Sequence, residues 1–357
     1  MTLMLNNQEV ESLLAMPEYV AVLEEAFADL ARGYAVNRPR SHTYVPGDGG
    51  THYLFKSMDG AWPRHGVHAL RLSSDVVRER VSDGRLRREK LPAAPGGKWV
   101  GLVLLFSMRT GEPLAILQDG YLQRMRVGAT SALAAKYLSR PESAALGMYG
   151  SGWQAGAQLM GLCHVRSVAS VRVYSPSREN RERFARDMTR LLGVPVTAVD
   201  EPRRVAEGVD ILVCATNSLA PVLDGRWLEP GMHVNSLQGG ELDDAVIQAS
   251  DVIAVRSLVR SSHHPAAGLA PAEVYKGPRF RLEDEAKLRE LGALIVGEAA
   301  GRTSPRQITL FGGSGTGGSS GLGIQFAAVA HRIYEKARAA GAGREIPTEW
   351  FLEDVHP

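Results

Sequence analysis

The feature that most constrains the fold is a glycine-rich turn between an apolar run and a helical pattern in the middle of the chain. Residues 144–149 form the run, and Gly150 and Gly152 follow it before a helix that continues past Ala155. Gly150 permits a tight turn, Gly152 lets the backbone approach a pyrophosphate, and small Ala155 allows the helix to pack closely on the strand. The pattern predicts a dinucleotide site, with cofactor contacts from Gly150, Ser151, Gly152, Trp153 and Gln154.

The segments after this turn alternate between strand-like and helix-like patterns. Residues 168–174, 210–215, 233–237 and 252–255 are predicted strands, and amphipathic helices separate the first of them. This alternation favours an α/β fold with a Rossmann-type, doubly wound parallel sheet. The turn could also be purely structural, because a glycine pattern alone is weak.

The N-terminal part of the chain follows different patterns. Residues 7–32 show helical spacing interrupted by Pro17, and short β-like runs follow up to Phe106, with residues 76–97 between two of them predicted as a long exposed loop. A further helix is predicted at residues 322–343, packed back on this region. We therefore expect an α+β substrate and dimerisation domain of residues 1–130 and 320–357, and a dinucleotide-binding domain of residues 131–319.

The residues after the second strand of the parallel sheet bear on cofactor choice. An NAD-selective site usually has an acid here that binds the ribose 2′-hydroxyl, whereas this chain has Ser175, Ser177 and Arg178. Two hydroxyls and a guanidinium suit a 2′-phosphate, which favours NADP(H) while leaving NAD(H) open. Alternatively, Ser177 caps the next helix and Arg178 is solvated. Thr216 and Asn217, which follow a later strand, are predicted cofactor contacts.

Composition excludes several function classes. The 357 residues carry a formal net charge of +2 from 41 basic and 39 acidic side chains, which gives no electrostatic reason to expect nucleic-acid binding. The longest apolar run is too short for a membrane span, and no secretory signal is evident at the N-terminus. Cys163 and Cys214 both lie in apolar segments, so we expect reduced thiols, a cytoplasmic location and no metal site.

Motifs along nearly the whole chain resemble those of the ornithine cyclodeaminase/mu-crystallin family. They are AVLEEAFADLARG, RPRSHTYVP, GEPLAILQDGYLQRMRVGATSALAAKYL, GSGWQAGAQ, DILVCATNS and GRTSPRQITLF, in this order. The resemblance implies a homodimer with a nicotinamide cofactor in a cleft between two domains. It also implies chemistry at an imine whose carbon exchanges hydride with nicotinamide. We therefore expect an NAD(P)H-dependent oxidoreductase that reduces an imine of a small carboxylate-bearing substrate, of the ketimine reductase or amino acid dehydrogenase type.

The resemblance assigns four residues to the substrate site. Arg40 and Arg126 match the arginines that bind the substrate carboxylate, although either could instead form a structural salt bridge. His68 stands where the family has its catalytic lysine, so we expect it to transfer the proton, with Lys56 as a possible source of the missing positive charge. By alternation along the strand, Arg71 faces away from His68 and is the weaker candidate.

Two departures from the family pattern bear on the reaction. No aspartate occupies the position that assists ammonia loss in cyclodeaminases, and nearby Glu241 and Asp243 could simply begin the next helix. Cyclodeamination of a basic amino acid is therefore an alternative, and a non-catalytic cofactor-binding or accessory protein is another. The second departure is a glycine-rich insertion at residues 312–323, which could close over the cofactor, bind an anion or form a surface loop.

Overall fold

The computed structural model describes residues 1–38, 40–82, 85–259, 282–312 and 321–355. The glycine-rich residues 313–320, and with them most of the predicted anion-binding insertion, lie outside the described residues. In the described part of the chain, no helix combines the length and apolar character needed to cross a bilayer.

The N-terminal part forms a nine-stranded, largely antiparallel sheet that the last strand of the chain completes. Its central order is β17-β1-β8-β7-β5-β4-β2, with β3 paired to β4 and β6 paired to β5. The strands are β1 Thr2–Leu5, β2 Val36–Asn37, β3 Ser41–Pro46, β4 Thr51–Trp62, β5 Val67–Ser82, β6 Arg85–Leu91, β7 Val100–Ser107, β8 Pro113–Gln118 and β17 Arg344–Ile346.

Two helices follow β1, as the spacing predicts. Helix α1, Asn7–Leu13, begins after Asn6, whose side chain accepts from two backbone N–H groups in a capping box with Glu9. Helix α2, Met16–Ala31, has Pro17 in its first turn, where a missing N–H costs no helical hydrogen bond.

The second sheet is parallel throughout its eight strands, in the order β11-β10-β9-β12-β13-β16-β14-β15. This confirms the Rossmann-type doubly wound prediction. The strands are β9 Ala145–Tyr149, β10 Ser170–Tyr174, β11 Val196–Ala198, β12 Ile211–Cys214, β13 His233–Ser236, β14 Val252–Val255, β15 Leu288–Glu290 and β16 Thr309–Phe311. The helices from here on are α4 Trp153–Val165, α5 Arg178–Leu192, α6 Arg203–Ala206, α7 Asp244–Ala249 and a short helix Leu291–Ile295.

Two long helices connect the sheets. Helix α3, Gly120–Leu138, is buried along most of its length and crosses the predicted boundary at residue 130. The C-terminal helix, Gly323–Ala340, returns to the first sheet, where a Cβ on Gly323 would lie 1.9 Å from the Asp59 carbonyl oxygen. This close approach requires glycine at the start of the helix. The domain division given above stays a prediction.

The prediction of an exposed loop at residues 76–97 is wrong, because most of that segment belongs to a β-hairpin. Strand β5 continues to Ser82 and pairs with β6, placing Glu79 opposite Arg88 and Arg78 opposite Glu89. Ion pairs Arg88–Glu79 and Arg80–Glu89, at 2.6 and 2.5 Å, link the two strands. Cross-strand charge pairs stabilise these strands. Because the strands lack the alternation of apolar and polar residues by which a strand is recognised in sequence, the hairpin was not predicted.

Candidate active site

A cleft with a volume of about 990 Å³ lies between the two sheets. One wall is formed by strands β4, β5 and β6 of the first sheet, and the other by the carboxyl ends of strands in the parallel sheet. Ligands of open parallel sheets bind at this edge. The predicted site residues on its surface are Arg40, Lys56, Arg126, Gly150, Ser151, Gly152, Trp153, Gln154, Ser175, Ser177, Thr216 and Asn217.

The glycine-rich turn has the geometry that a pyrophosphate needs. Gly150 adopts φ +107°, and a Cβ there would lie 2.3 Å from the Ala215 carbonyl oxygen, so only glycine fits. Gly152 faces open space and precedes α4 without a side-chain cap, which leaves the first N–H groups of the helix directed at the cleft. These features fit a dinucleotide phosphate at a helix N-terminus.

Side chains around this turn are held by contacts with neighbouring loops and with helix α3. The Ser151 hydroxyl donates to the Ser175 hydroxyl at 2.8 Å. Gln154 donates to Gln123 at 3.1 Å, and the half-exposed Trp153 ring carries the Arg124 guanidinium 5.4 Å from its centroid.

The residues predicted to bind a 2′-phosphate are only partly directed at the cleft. Ser177 accepts from the Asn180 N–H at 3.2 Å and thereby caps α5, while its neighbour Ser175 is buried at the cleft surface. The Arg178 side chain is 79% exposed, pairs with Glu182 at 2.7 Å, and is not among the described residues that line the cleft. The structure therefore shows Ser177 and Arg178 in the capping and solvated arrangement.

The loops that carry Thr216 and Asn217 are organised by Glu241, a fully buried carboxylate. One Glu241 oxygen accepts from the N–H and hydroxyl of Thr216 at 2.6 and 2.8 Å. The other accepts from the Ser236 hydroxyl and the N–H groups of Leu237 and Gln238, at 2.9–3.0 Å. Burial raises the pKa of Glu241, against the lowering effect of these donors. Asn217 accepts from the Arg88 N–H at 3.3 Å, which joins the β5–β6 hairpin to this edge.

We expect Glu241→Gln to weaken dinucleotide binding by roughly tenfold or more. The NH₂ group of glutamine cannot accept hydrogen bonds, so some of the N–H and hydroxyl donors around this position would be left unsatisfied. Titration of cofactor fluorescence measures the dissociation constant, and thermal unfolding measures the accompanying loss of stability. Exposed Glu229→Gln is the control. Unchanged affinity in Glu241→Gln would show that the loop positions do not depend on this carboxylate.

The first sheet contributes a partly buried lysine to the cleft. Lys56 on β4 lies 3.4 Å from the buried Asp75 carboxylate on β5, which Lys90 on β6 also contacts at 2.9 Å. Burial, followed by the charge of Lys90, lowers the pKa of the Lys56 ammonium to about 7, although the charge of Asp75 acts in the opposite direction. Burial would raise the pKa of Asp75, but the charges of Lys56 and Lys90 bring it below its usual value.

Arginines line the same part of the cleft. The guanidinium groups of Arg71 and Arg126 lie 5.6 and 4.9 Å from the centroid of the Phe326 ring. Arg71 pairs with Asp119 at 2.5 Å, and Arg126 donates to the Gln325 side chain at 3.3 Å. Burial, followed by the charges of Arg71 and Arg256, lowers the pKa of Arg126 well below its usual value.

Our prediction of which face of β5 contributes to the site is wrong. Arg71 is buried in the cleft, whereas His68 lies on the opposite face of the strand, 40% exposed and 3.4 Å from Asp59. His68 is not among the described residues that line the cleft. The alternation is as predicted, but the apolar residues Val67 and Ala69 share the side of Arg71 because that side packs against the protein interior.

The sequence analysis missed Arg256, which follows β14. It is buried, lines the cleft, and stacks its guanidinium 4.7 Å from the centroid of Phe311. A signal existed in its position at the carboxyl end of a parallel strand, the edge at which ligands bind.

Comparisons with known proteins agree with this architecture. The model of the ornithine cyclodeaminase/mu-crystallin family matches residues 92–341. The chain is similar to the alanine dehydrogenase of Archaeoglobus fulgidus, with 30% identity over 352 residues that cover 97% of this chain and 98% of the relative.

Two solved structures resemble the protein over nearly its whole length. The first is the Δ1-pyrroline-2-carboxylate reductase of Thermococcus litoralis in complex with NADH and L-proline. It has 28% identity and a TM-score of 0.78, and the match covers 97% of this chain and 100% of that one. The second is an archaeal alanine dehydrogenase dimer with bound NAD, with 26% identity and a TM-score of 0.76, covering 97% of this chain and 99% of that one.

Proposed function

This chain belongs to the ornithine cyclodeaminase/mu-crystallin family, and we propose that Lys56 and Arg126 act on the substrate of an imine reduction in its cleft. The protein is an NAD(P)H-dependent oxidoreductase of carbon–nitrogen bonds, of the ketimine reductase or amino acid dehydrogenase type. The observation that carries the proposal is one cleft lined by a glycine turn that fits a pyrophosphate, a partly buried lysine of lowered pKa, and buried arginines.

The cofactor would lie along the edge of the parallel sheet. Gly150, Ser151 and Gly152 would hold the pyrophosphate, with Thr216 and Asn217 further along the same edge. When bound, the reduced nicotinamide supplies the hydride that the imine carbon accepts.

Lys56 takes the proton-transfer role that we first assigned to His68. The imine nitrogen would take a proton from the Lys56 ammonium, and solvent would restore that proton after the amine has formed. A pKa of about 7 suits this exchange, because both forms of the group are populated near neutral pH. Asp75 would position the ammonium from its buried site on β5.

Arg126 and Arg40 would bind the substrate carboxylate. Both line the cleft, and guanidinium groups bind carboxylates through two parallel hydrogen bonds. The loss of hydration in the cleft, followed by the charges of Arg71 and Arg256, lowers the pKa of Arg40 to about 10. An anionic substrate would relieve this repulsion.

NADP(H) is the cofactor we propose, with NAD(H) as the alternative. Ser175 and Ser177 would contact the 2′-phosphate, and the exposed Arg178 would exchange Glu182 for the phosphate. An exposed ion pair contributes little, so the exchange costs little.

We expect Arg178→Ala to raise the NADPH dissociation constant by roughly tenfold, because a charge-assisted hydrogen bond is lost, and to leave that of NADH unchanged. Titration with both cofactors gives the ratio of the two constants. Arg183→Ala removes an exposed arginine from the same helix and is the control. An unchanged ratio in Arg178→Ala would remove this residue from cofactor selection.

Cyclodeamination receives no support from the two acids we considered. Glu241 is engaged in the hydrogen bonds described above, and Asp243 caps α7 by accepting from the Val246 N–H at 2.9 Å. Neither is among the described residues that line the cleft.

The function is tested by following oxidation of NADPH with keto acids plus ammonia or methylamine, and with preformed cyclic imines. Consumption that requires both keto acid and amine, or a cyclic imine, supports imine reduction. Ammonia release from ornithine or lysine without net cofactor change would support the cyclodeaminase alternative. Tight NADPH binding with no turnover would support a binding or accessory role.

We also propose that the protein works as a homodimer in the cytoplasm. The dimeric archaeal alanine dehydrogenase supports the first statement. The free thiols of Cys163 and Cys214 support the second, because such thiols are typical of a reducing compartment.

A further inference from the structure

Arg256 lies where it could contact a ligand in the cleft, and the proposed function gives it no role. Only 6% of the residue is exposed, and it lies at the wall of the cleft. Its Nε atom has no hydrogen-bond partner in the part of the chain that the structure describes. Burying a guanidinium in this state is costly, and an anion in the cleft would offset the cost.

The surroundings of Arg256 concentrate positive charge. Its charge is among those that lower the pKa values of Arg40 and Arg126, so the three guanidinium groups share one region of the cleft. Burial lowers the pKa of Arg256 itself to about 10. Arg71 is also near this group, but Asp119 accepts two of its hydrogen bonds.

One carboxylate cannot match three guanidinium groups. It has two oxygens and about four acceptor positions, which two bidentate arginines fill. If Arg40 and Arg126 take the carboxylate beside the imine, Arg256 faces a different part of the substrate.

We propose that the substrate carries a second anionic group, a carboxylate or a phosphate, and that Arg256 binds it. This inference rests on the proposed function, since it names the substrate class of the same site. Arg256 is then a specificity-determining residue that separates dianionic from monoanionic imines.

The kinetic test compares imines formed from methylamine and three kinds of keto acid. Pyruvate gives one carboxylate, oxaloacetate and 2-oxoglutarate give two, and phosphohydroxypyruvate gives a carboxylate and a phosphate. We expect wild type to prefer a dianionic substrate, and Arg256→Gln to lower kcat/KM for that substrate by roughly tenfold or more, with little change for pyruvate, because one charge-assisted contact is lost. Comparison of the dicarboxylate substrates with the phosphate-bearing substrate shows whether the second anionic group is a carboxylate or a phosphate.

A binding test does not depend on turnover. Calorimetry with the NADP⁺-loaded protein compares malonate and succinate with acetate. We expect the dianions to bind more tightly to wild type, and this preference to disappear in Arg256→Gln but to persist in Arg256→Lys and in the exposed control Arg306→Gln. If Arg256→Gln does not fold, Arg256→Lys and the dianion preference of wild type decide the matter.

The two proposals fail in different ways. Reduction of the pyruvate-derived imine as the best substrate, with equal losses on all substrates in Arg256→Gln, would overturn the dianion inference and leave imine reduction intact. Absence of turnover on every imine would overturn the proposed function, and the calorimetric preference would still decide the role of Arg256.

Discussion

Replacing Lys56 with methionine is expected to lower kcat/KM for imine reduction by roughly 10²- to 10⁴-fold, the usual contribution of a positioned proton donor. Methionine keeps most of the length and apolar volume of the side chain but has no proton to give. The neighbouring Asp75 retains Lys90 as its partner, at 2.9 Å, so the buried carboxylate is not left unpaired. Initial rates with NADPH and an imine measure the effect, and cofactor titration shows whether NADPH binding is retained.

The pH profile separates a proton donor from a merely structural lysine. Because kcat/KM reports the free enzyme, its value for imine reduction should fall as pH rises through the Lys56 pKa of about 7, where the ammonium loses its proton. The charge of Lys90 is the second cause of the lowered pKa of Lys56, after burial. Lys90→Gln should therefore move the falling limb to higher pH, although it should also alter the cleft surface.

Exposed Lys98→Met is the matched control, since it removes a lysine that forms neither of the ion pairs with Asp75. Activity of Lys56→Met within a few fold of wild type would exclude Lys56 as the donor. If Lys90→Gln does not shift the falling limb of the pH profile, the group that titrates there is not Lys56.

The parallel sheet and its glycine turn could be predicted from sequence because their signals are local. Residues 144–149 form an apolar strand, and the positive φ of Gly150 meets a steric requirement that glycine alone satisfies. The two N-terminal helices were predictable for the same reason, because apolar residues recur at helical spacing and Pro17 marks the first turn of the second helix.

The substrate half of the cleft was harder to predict because its geometry depends on how the first sheet packs. Alternation along β5 gives two faces, and nothing local shows that the face with Arg71, Ser73 and Asp75 is the buried one. The match of His68 to the position of the family's catalytic lysine selected the other face. The contribution of Lys56 depends on Asp75 and Lys90, and those residues come together only through the pairing of three strands.

Arg256 and the buried role of Glu241 were missed for a further physical reason. Each is a charged residue whose burial depends on partners distant in sequence, and charged residues in loops are usually solvated. Thr216 lies 25 residues from Glu241, and Phe311 lies on β16, the strand next to the one that Arg256 follows. Their position at the carboxyl ends of parallel strands was the one local indication of function.

Arg126→Gln is expected to lower kcat/KM for carboxylate-bearing imines by roughly 100-fold without lowering the melting temperature. The loss of a bidentate, charge-assisted pair of about 3 kcal/mol accounts for the kinetic effect. The expected stability follows from the surroundings, because Arg126 is buried among Arg71, Arg256 and Arg40, which disfavour its charged form. Removing that charge relieves repulsion in the folded state.

Stability and activity together decide between a substrate anchor and a structural ion pair. Lys136→Gln is the matched control, since Lys136 lies on the same helix and pairs with Glu24 at 2.7 Å on the surface, so it should leave turnover intact. Arg126→Lys should recover part of the activity, because an ammonium keeps the charge but cannot form the bidentate pair. A melting temperature that falls sharply in Arg126→Gln, with normal turnover in the folded fraction, would instead make Arg126 a structural residue. Repulsion among like charges that persists in the folded protein is typical of a site selected to bind an anion, because stability alone would remove it.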